Sequence, residues 1–261
     1  MRLLFALLGC GLTTQTCDDD IPFGRVTDQT RHIRARSQER HPATGSSKPS
    51  PLRMEILEEG QRPEVYVLRG GAQGPGKLVF LHGMCGHGLG YAQAFQYSAA
   101  KKGTLIAPQG DLSCGGPWSK WSSNISALDA RIQTTFRKLG FADPIVDVVV
   151  IGMSQGATRA EALARNYPKR YTRLISMAAP TSLRPFDLPN LDGAVLMAGE
   201  RDRRDLMRAS ERALKSSGVP AQFMLIPEAT HGAMGPTPEL TMGAALDWLW
   251  QNAKRAEPVG R

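Results

Sequence analysis

The sequence predicts an α/β domain: a mostly parallel central sheet with an antiparallel hairpin at its start and helices on both faces. Three observations carry this expectation. From about residue 52 onward, short β-branched or apolar runs alternate with amphipathic helical stretches. Parallel strands need crossover helices, so that alternation implies a parallel sheet covered on both sides. Residues 145–151 are so rich in Val and Ile that they must form a central strand.

The elements follow in order. Residues 53–58 and 64–68 read as two strands around the turn residues Gly60 and Pro63, close enough in sequence to pair antiparallel. Residues 77–81 are a buried strand, 91–102 a helix, and 104–107 a strand stopped by Pro108. Residues 124–139 place Ile125, Leu128, Ile132 and Phe136 at helical spacing, with Asn124 as the cap. A helix over 157–167 is stopped by Pro168. Strands at 173–177, 194–198 and 221–226 then alternate with helices at 204–217 and 238–253. The stretch from Met177 to Gly193 is too short for a helical cap domain, so no large cap is expected and the carboxyl edge of the sheet should be open.

The chain has 261 residues, 41% of them hydrophobic and 21% charged, which suits one α/β domain plus a tail. No apolar run reaches about 18 residues, so no membrane-spanning helix is expected. The formal net charge is +8, and it is uneven: between Ile21 and Arg53, seven basic side chains stand against Asp28 and Glu39. With few large apolar residues there, a solvated linker is expected. No nucleic-acid motif accompanies the charge, so nucleic acid is not an expected partner. At the start, Met1-Arg2 and the apolar residues 3–8 have the form of an export signal. Leu7-Leu8-Gly9-Cys10 resembles a bacterial lipoprotein box, although nine residues are few for such a signal. The expected organisation is an export signal over 1–17 with membrane anchoring through Cys10 as its variant, a basic linker over 18–51, a catalytic domain over 52–255 and a tail over 256–261. Periplasmic, secreted or lipid-anchored placement would follow.

The chemistry is concentrated in three places. Gly152-Met153-Ser154-Gln155-Gly156 falls between the strongest strand and a well-formed helix, the strand–turn–helix setting of a nucleophile elbow. Glycines on either side of Ser154 let strand and helix approach closely. The Gln155 amide, at the start of a helix, is placed to stabilise an oxyanion. A serine hydroxyl needs a base, and of five histidines only His231 follows Ser154, on a loop after a strand. The acid is expected between them. Asp202 follows the strand 194–198 and is the first choice; Asp205, at the start of a helix, is the second; Asp187 and Asp192 precede that strand. The third place is Leu81-His82-Gly83-Met84-Cys85-Gly86, which follows the strand 77–81.

These motifs together resemble α/β-hydrolases of the dienelactone hydrolase, carboxylesterase and polyhydroxybutyrate-depolymerase-like group, over roughly residues 52–255. The resemblance implies that the His82-Gly83 loop supplies the second oxyanion donor, by position the Met84 amide, with His82 bracing the loop. Dienelactone hydrolases proper use cysteine as nucleophile, and serine stands here, which argues against lactones. The Gly-Met-Ser-Gln-Gly string is also similar to that of acyl-protein thioesterases, but Arg203-Arg204 follows Asp202 where those enzymes have a Val-Pro turn. Cys85 and Cys114 follow neighbouring strands at one sheet edge, so they are placed to form a disulfide; two free thiols are the alternative. Trp118 and Trp121 lie in the long loop after the strand 104–107; they are expected first to pack that loop and second to hold substrate. The expected reaction is cleavage of a small or polymeric carboxylic ester through an acyl-enzyme, with no metal or organic cofactor. An acyltransferase, thioesterase or serine peptidase would use the same residues. A binding protein on a hydrolase fold is the reading from another class, and such proteins usually lack one of the three.

Overall fold

The computed structural model describes residues 52–59, 62–71, 76–188 and 190–254. The expected export signal, Cys10, the linker and the residue-256–261 tail lie outside the described residues, as does the turn residue Gly60.

The chain begins with β1 (Met54–Glu59), β2 (Arg62–Leu68) and β3 (Gly76–Leu81), then two short helices, α1 (Gly88–Ala94) and α2 (Gln96–Lys102). Strand β4 (Gly103–Pro108) is followed by a small hairpin, β5 (Leu112–Gly115) and β6 (Trp118–Lys120). Helix α3 (Ile125–Lys138) leads to β7 (Val148–Met153), α4 (Gln155–Asn166) and β8 (Arg173–Met177). The last elements are β9 (Gly193–Gly199), α5 (Asp205–Ser216), β10 (Ala221–Ile226) and α6 (Pro238–Asn252). Among the described residues the main sheet has eight strands in the order β1-β2-β4-β3-β7-β8-β9-β10. The pairs β1–β2 and β2–β4 are antiparallel, and every pair from β4–β3 to β9–β10 is parallel. The mostly parallel sheet with an antiparallel start is the expected one.

Two hydrophobic cores lie on the two faces, and the period of the strands divides residues between them. Val148 and Val150 enter one core; Val149, Ile151 and Met153 enter the other. Leu196 and Val195 divide in the same way. Helices α3, α4 and α5 cover the first face through Ile132, Leu163 and Leu214; α1, α2 and α6 cover the second through Ala92, Ala99 and Leu246. A strand buried on both sides reads as a continuous apolar run, which is why 148–153 stands out in the sequence.

The structure corrects three expectations. The helix expected over 91–102 is two helices, parted at Phe95, whose backbone leaves the helical region (φ −131, ψ 29) while its ring packs edge-on against Phe80 at 5.6 Å. The strand expected from Ile145 starts at Val148, because Asp147 takes a φ of 55 that extended chain cannot hold. The expected loop after β4 contains the β5–β6 hairpin, made by pairing rather than by local propensity. Asn124 caps α3 as expected, its side chain accepting from the Ala127 amide at 3.0 Å.

Candidate active site

Ser154 sits between the end of β7 and the start of α4, at the carboxyl edge of the sheet. Its backbone has φ 51 and ψ −115, a conformation that side-chain-bearing residues rarely adopt. The Ser154 amide donates to Met177 O at 2.9 Å, and its carbonyl accepts from the Ala157 amide at 3.0 Å, which hold the turn. The two flanking glycines make room for it. A Cβ on Gly156 would lie 2.0 Å from Leu81 O, and one on Gly152 would lie 2.4 Å from Gly156 O. Helix α4 therefore packs directly on the end of β3.

Ser154 Oγ lies 3.0 Å from His231 Nε2, and His231 Nδ1 lies 3.0 Å from Asp202 Oδ2. With Nδ1–H donating to the carboxylate, Nε2 is free to accept the serine proton. The Asp202 side chain is 9% exposed and the imidazole 56%, so the acid is buried and the base faces solvent. Asp202 Oδ1 also accepts from the Arg203 amide at 2.7 Å. Asp205 opens α5 and pairs with Arg203 at 3.5 Å instead of reaching the imidazole. Sequence order and structure thus bring Ser154, His231 and Asp202 together.

The two loops that carry acid and base are bonded to each other. The Glu200 amide donates to Ile226 O and the Arg201 amide to Ala229 O, each at 2.9 Å. Glu200 Oε2 accepts from the Glu228 amide at 2.9 Å. From the other side, Tyr91 Oη donates to Gly232 O at 2.7 Å. Burial raises the Tyr91 pKa, so it stays a phenol and a donor. Neither Tyr91 nor Glu200 stands out in the sequence, because their partners are distant along the chain.

The loop after β3 turns tightly over residues 83–86, with the Gly86 amide donating to Gly83 O at 3.1 Å and Cys85 at φ 48. A Cβ on Gly83 would stand 3.5 Å from Ser154 Cβ, so the turn lies directly beside the serine. Among the described residues neither the Met84 nor the Gln155 amide has a protein acceptor. His82 is fully buried beneath this turn. Its Nδ1–H donates to Gly83 O at 2.7 Å, and its Nε2 accepts from the Gly110 amide at 3.0 Å. Burial lowers its pKa to about 4, which keeps the ring neutral and that acceptor available. The Gln155 side chain closes the other side, with Oε1 accepting from the Trp121 amide at 3.0 Å and Nε2 donating to Trp121 O at 3.3 Å.

The two tryptophans part ways. Trp121 is only 3% exposed, and its indole N–H donates to His82 O at 2.8 Å. Of the two roles expected for it, Trp121 takes packing and not substrate contact: it braces the loop from within. Trp118, 40% exposed on β6, meets His87 edge-on. The Cys85 and Cys114 sulfurs are bonded, which joins the 83–86 turn to β5. Among the described residues no group of three or more His, Cys, Asp or Glu side chains is placed to share a metal ion, and no helix is long and apolar enough to cross a membrane.

The sheet order, the strand–serine–helix turn and the absence of a large cap among the described elements are those of the α/β-hydrolase fold. Solved structures of that fold resemble the chain. FphF, a fluorophosphonate-binding serine hydrolase of Staphylococcus aureus, matches with a TM-score of 0.59 at 15% identity, covering 77% of this chain and 99% of its own. An S-formylglutathione hydrolase from the same organism matches with a TM-score of 0.59 at 15% identity, over 77% of this chain and 99% of its own. A fungal esterase from Rhizomucor miehei does so with a TM-score of 0.59 at 16% identity, over 77% and 83%. No family model matches the chain, and no curated protein sequence matches it.

Proposed function

We propose that the protein is a serine hydrolase that cleaves carboxylic esters through an acyl-enzyme. The observation that carries this reading is the chain of two 3.0 Å hydrogen bonds from Ser154 through His231 to Asp202, on a serine held at a φ of 51. In the reaction, Ser154 Oγ attacks the ester carbonyl while His231 Nε2 takes its proton. Asp202 holds the tautomer and stabilises the imidazolium. The Met84 and Gln155 amides donate to the oxyanion. His231 returns the proton to the leaving alcohol as the carbon–oxygen bond breaks. Water, deprotonated by His231, then attacks the acyl-enzyme, and Ser154 leaves with that proton.

The esterase and hydrolase names of the structural neighbours support an ester over an amide as substrate. An open site fits small esters or the surface of a polyester. Between β8 and β9 the described connection carries only a short helical turn, Pro185–Asp187. Met84, 63% exposed, offers an apolar contact on the turn beside the nucleophile. The test is hydrolysis of p-nitrophenyl esters from acetate to palmitate by wild type and Ser154→Ala, with fluorophosphonate labelling of both. Wild type is expected to cleave the short esters and take the label, and the variant to do neither. A wild type that fails both assays, or a variant that retains wild-type turnover, refutes the reading.

A further inference from the structure

The 83–86 turn is held unevenly. On the Gly83 side the chain is anchored by His82 Nδ1, which donates to Gly83 O. On the Gly86 side it is anchored by the hairpin: the Ser119 amide donates to Gly86 O at 3.2 Å, and Gln109 Nε2 donates to the same oxygen at 3.3 Å. Gln109 also ties this segment to its surroundings, accepting from the Gly88 amide at 2.9 Å and donating to Pro117 O at 2.9 Å. Between those two anchors stand Met84 and Cys85. Both are exposed, and among the described residues no hydrogen bond holds either of them. Cys85 moreover sits at φ 48, a region that residues with a Cβ adopt infrequently. The restraint at the crest of the turn is the bond from Cys85 to Cys114 on β5, across 29 residues of chain.

We infer that the Cys85–Cys114 disulfide is the positioning element of the Met84 amide, so that the catalytic step proposed above depends on the redox state of this bond. This rests on the serine-hydrolase reading. An oxyanion donor acts only if it is already aimed when charge develops, and a donor that wanders forfeits its contribution. Reduction leaves the turn's two ends anchored and frees its crest. Acyl transfer therefore slows while the ester still binds. Dithiothreitol performs the reduction: one of its thiolates attacks a cystine sulfur and displaces the other as thiolate. Its second thiol closes the reagent's own ring disulfide, and the two protein sulfurs end as thiols after protonation.

The experiment compares oxidised wild type, dithiothreitol-reduced wild type, the reoxidised sample and the Cys85→Ser/Cys114→Ser double variant. It reads kcat and KM for p-nitrophenyl acetate and amide hydrogen exchange across the chain. On reduction, kcat is expected to fall about ten- to hundredfold with KM within about threefold. Exchange should quicken over residues 83–88 and not in β7 or β8, and both changes should reverse on reoxidation. The double variant should match the reduced enzyme and ignore dithiothreitol. If it does not fold, the reduced wild type alone decides. Two thiols gained on reduction and assigned to Cys85 and Cys114, with unchanged kcat, overturn the inference, as does faster exchange spread through the sheet, which would mark general loosening. If no oxidised sample hydrolyses any ester or takes a fluorophosphonate, the serine-hydrolase reading fails instead. Exchange over 83–88 still decides whether the bond orders the turn.

Discussion

Gly156→Ala tests the contact on which the whole site is built. The added Cβ would lie 2.0 Å from Leu81 O and 2.5 Å from His82 O, where ordinary contact begins at 3.4 Å. Both obstacles are backbone atoms, so no side chain can swing aside. Helix α4 and the end of β3 must separate by more than an ångström. Overpacking of this kind costs about 1–3 kcal/mol, and the site lies between rigid elements, so the upper end is expected. For a domain of this size, 3 kcal/mol lowers Tm by roughly 6–12 °C. Activity should suffer more than stability. Ser154 and Gln155 travel with α4, whereas Met84 follows β3, so the displacement pulls the two proposed oxyanion donors apart. A misplacement near 1 Å costs about a hundredfold in rate. Urea unfolding followed by tryptophan fluorescence and kcat on p-nitrophenyl acetate, measured on the same preparation, give both numbers. A variant within about 0.5 kcal/mol and twofold in kcat of wild type would refute the claim that strand-to-helix contact sets the geometry.

Two further predictions follow from the acid and from the buried histidine. Asp202→Asn should lower kcat about 10³–10⁴-fold, since an amide no longer holds the imidazole in the required tautomer. Asp205→Asn, which removes only an exposed partner of Arg203, should stay within about twofold; steady-state kinetics that reverse this ranking would assign the acid to Asp205. His82 has its folded pKa depressed to about 4 by burial. A depressed pKa contributes stability that is present above the unfolded value near 6.5 and is lost as pH falls through the folded one. Wild type should therefore lose roughly 3 kcal/mol between pH 6.5 and 4 that a His82→Gln variant does not lose. Urea midpoints across that range, identical in slope for the two proteins, would show the ring is not the source.

Much of the site is legible in the sequence because its motifs are local. Gly152 to Gly156 are contiguous, and strand, turn and helix are each encoded by their own residues. Asp202 and His231 each follow a strand, so topology alone delivers them to the same sheet edge as Ser154. That edge is shared because parallel strands all end on one side. Burial on both faces makes strands such as β7 readable as apolar runs.

What the sequence by itself determined was therefore the order of strands and helices and the three side chains that meet at the carboxyl edge. The sequence also pointed to His82 and to the Cys85–Cys114 pair as holding the 83–86 turn, the proposed oxyanion loop; tertiary structure decided the remaining contacts that hold it. Trp121 lies in a loop of unremarkable composition, and only packing shows it buried with its N–H on His82 O. The β5–β6 hairpin has little strand propensity of its own. Pairing within it and the Gly86–Ser119 bridge define it. Phe95 breaks a helix that its neighbours would continue, and its buried ring packs edge-on against Phe80. Each of these outcomes is a contact between residues far apart in the chain, and local propensity carries no record of such contacts.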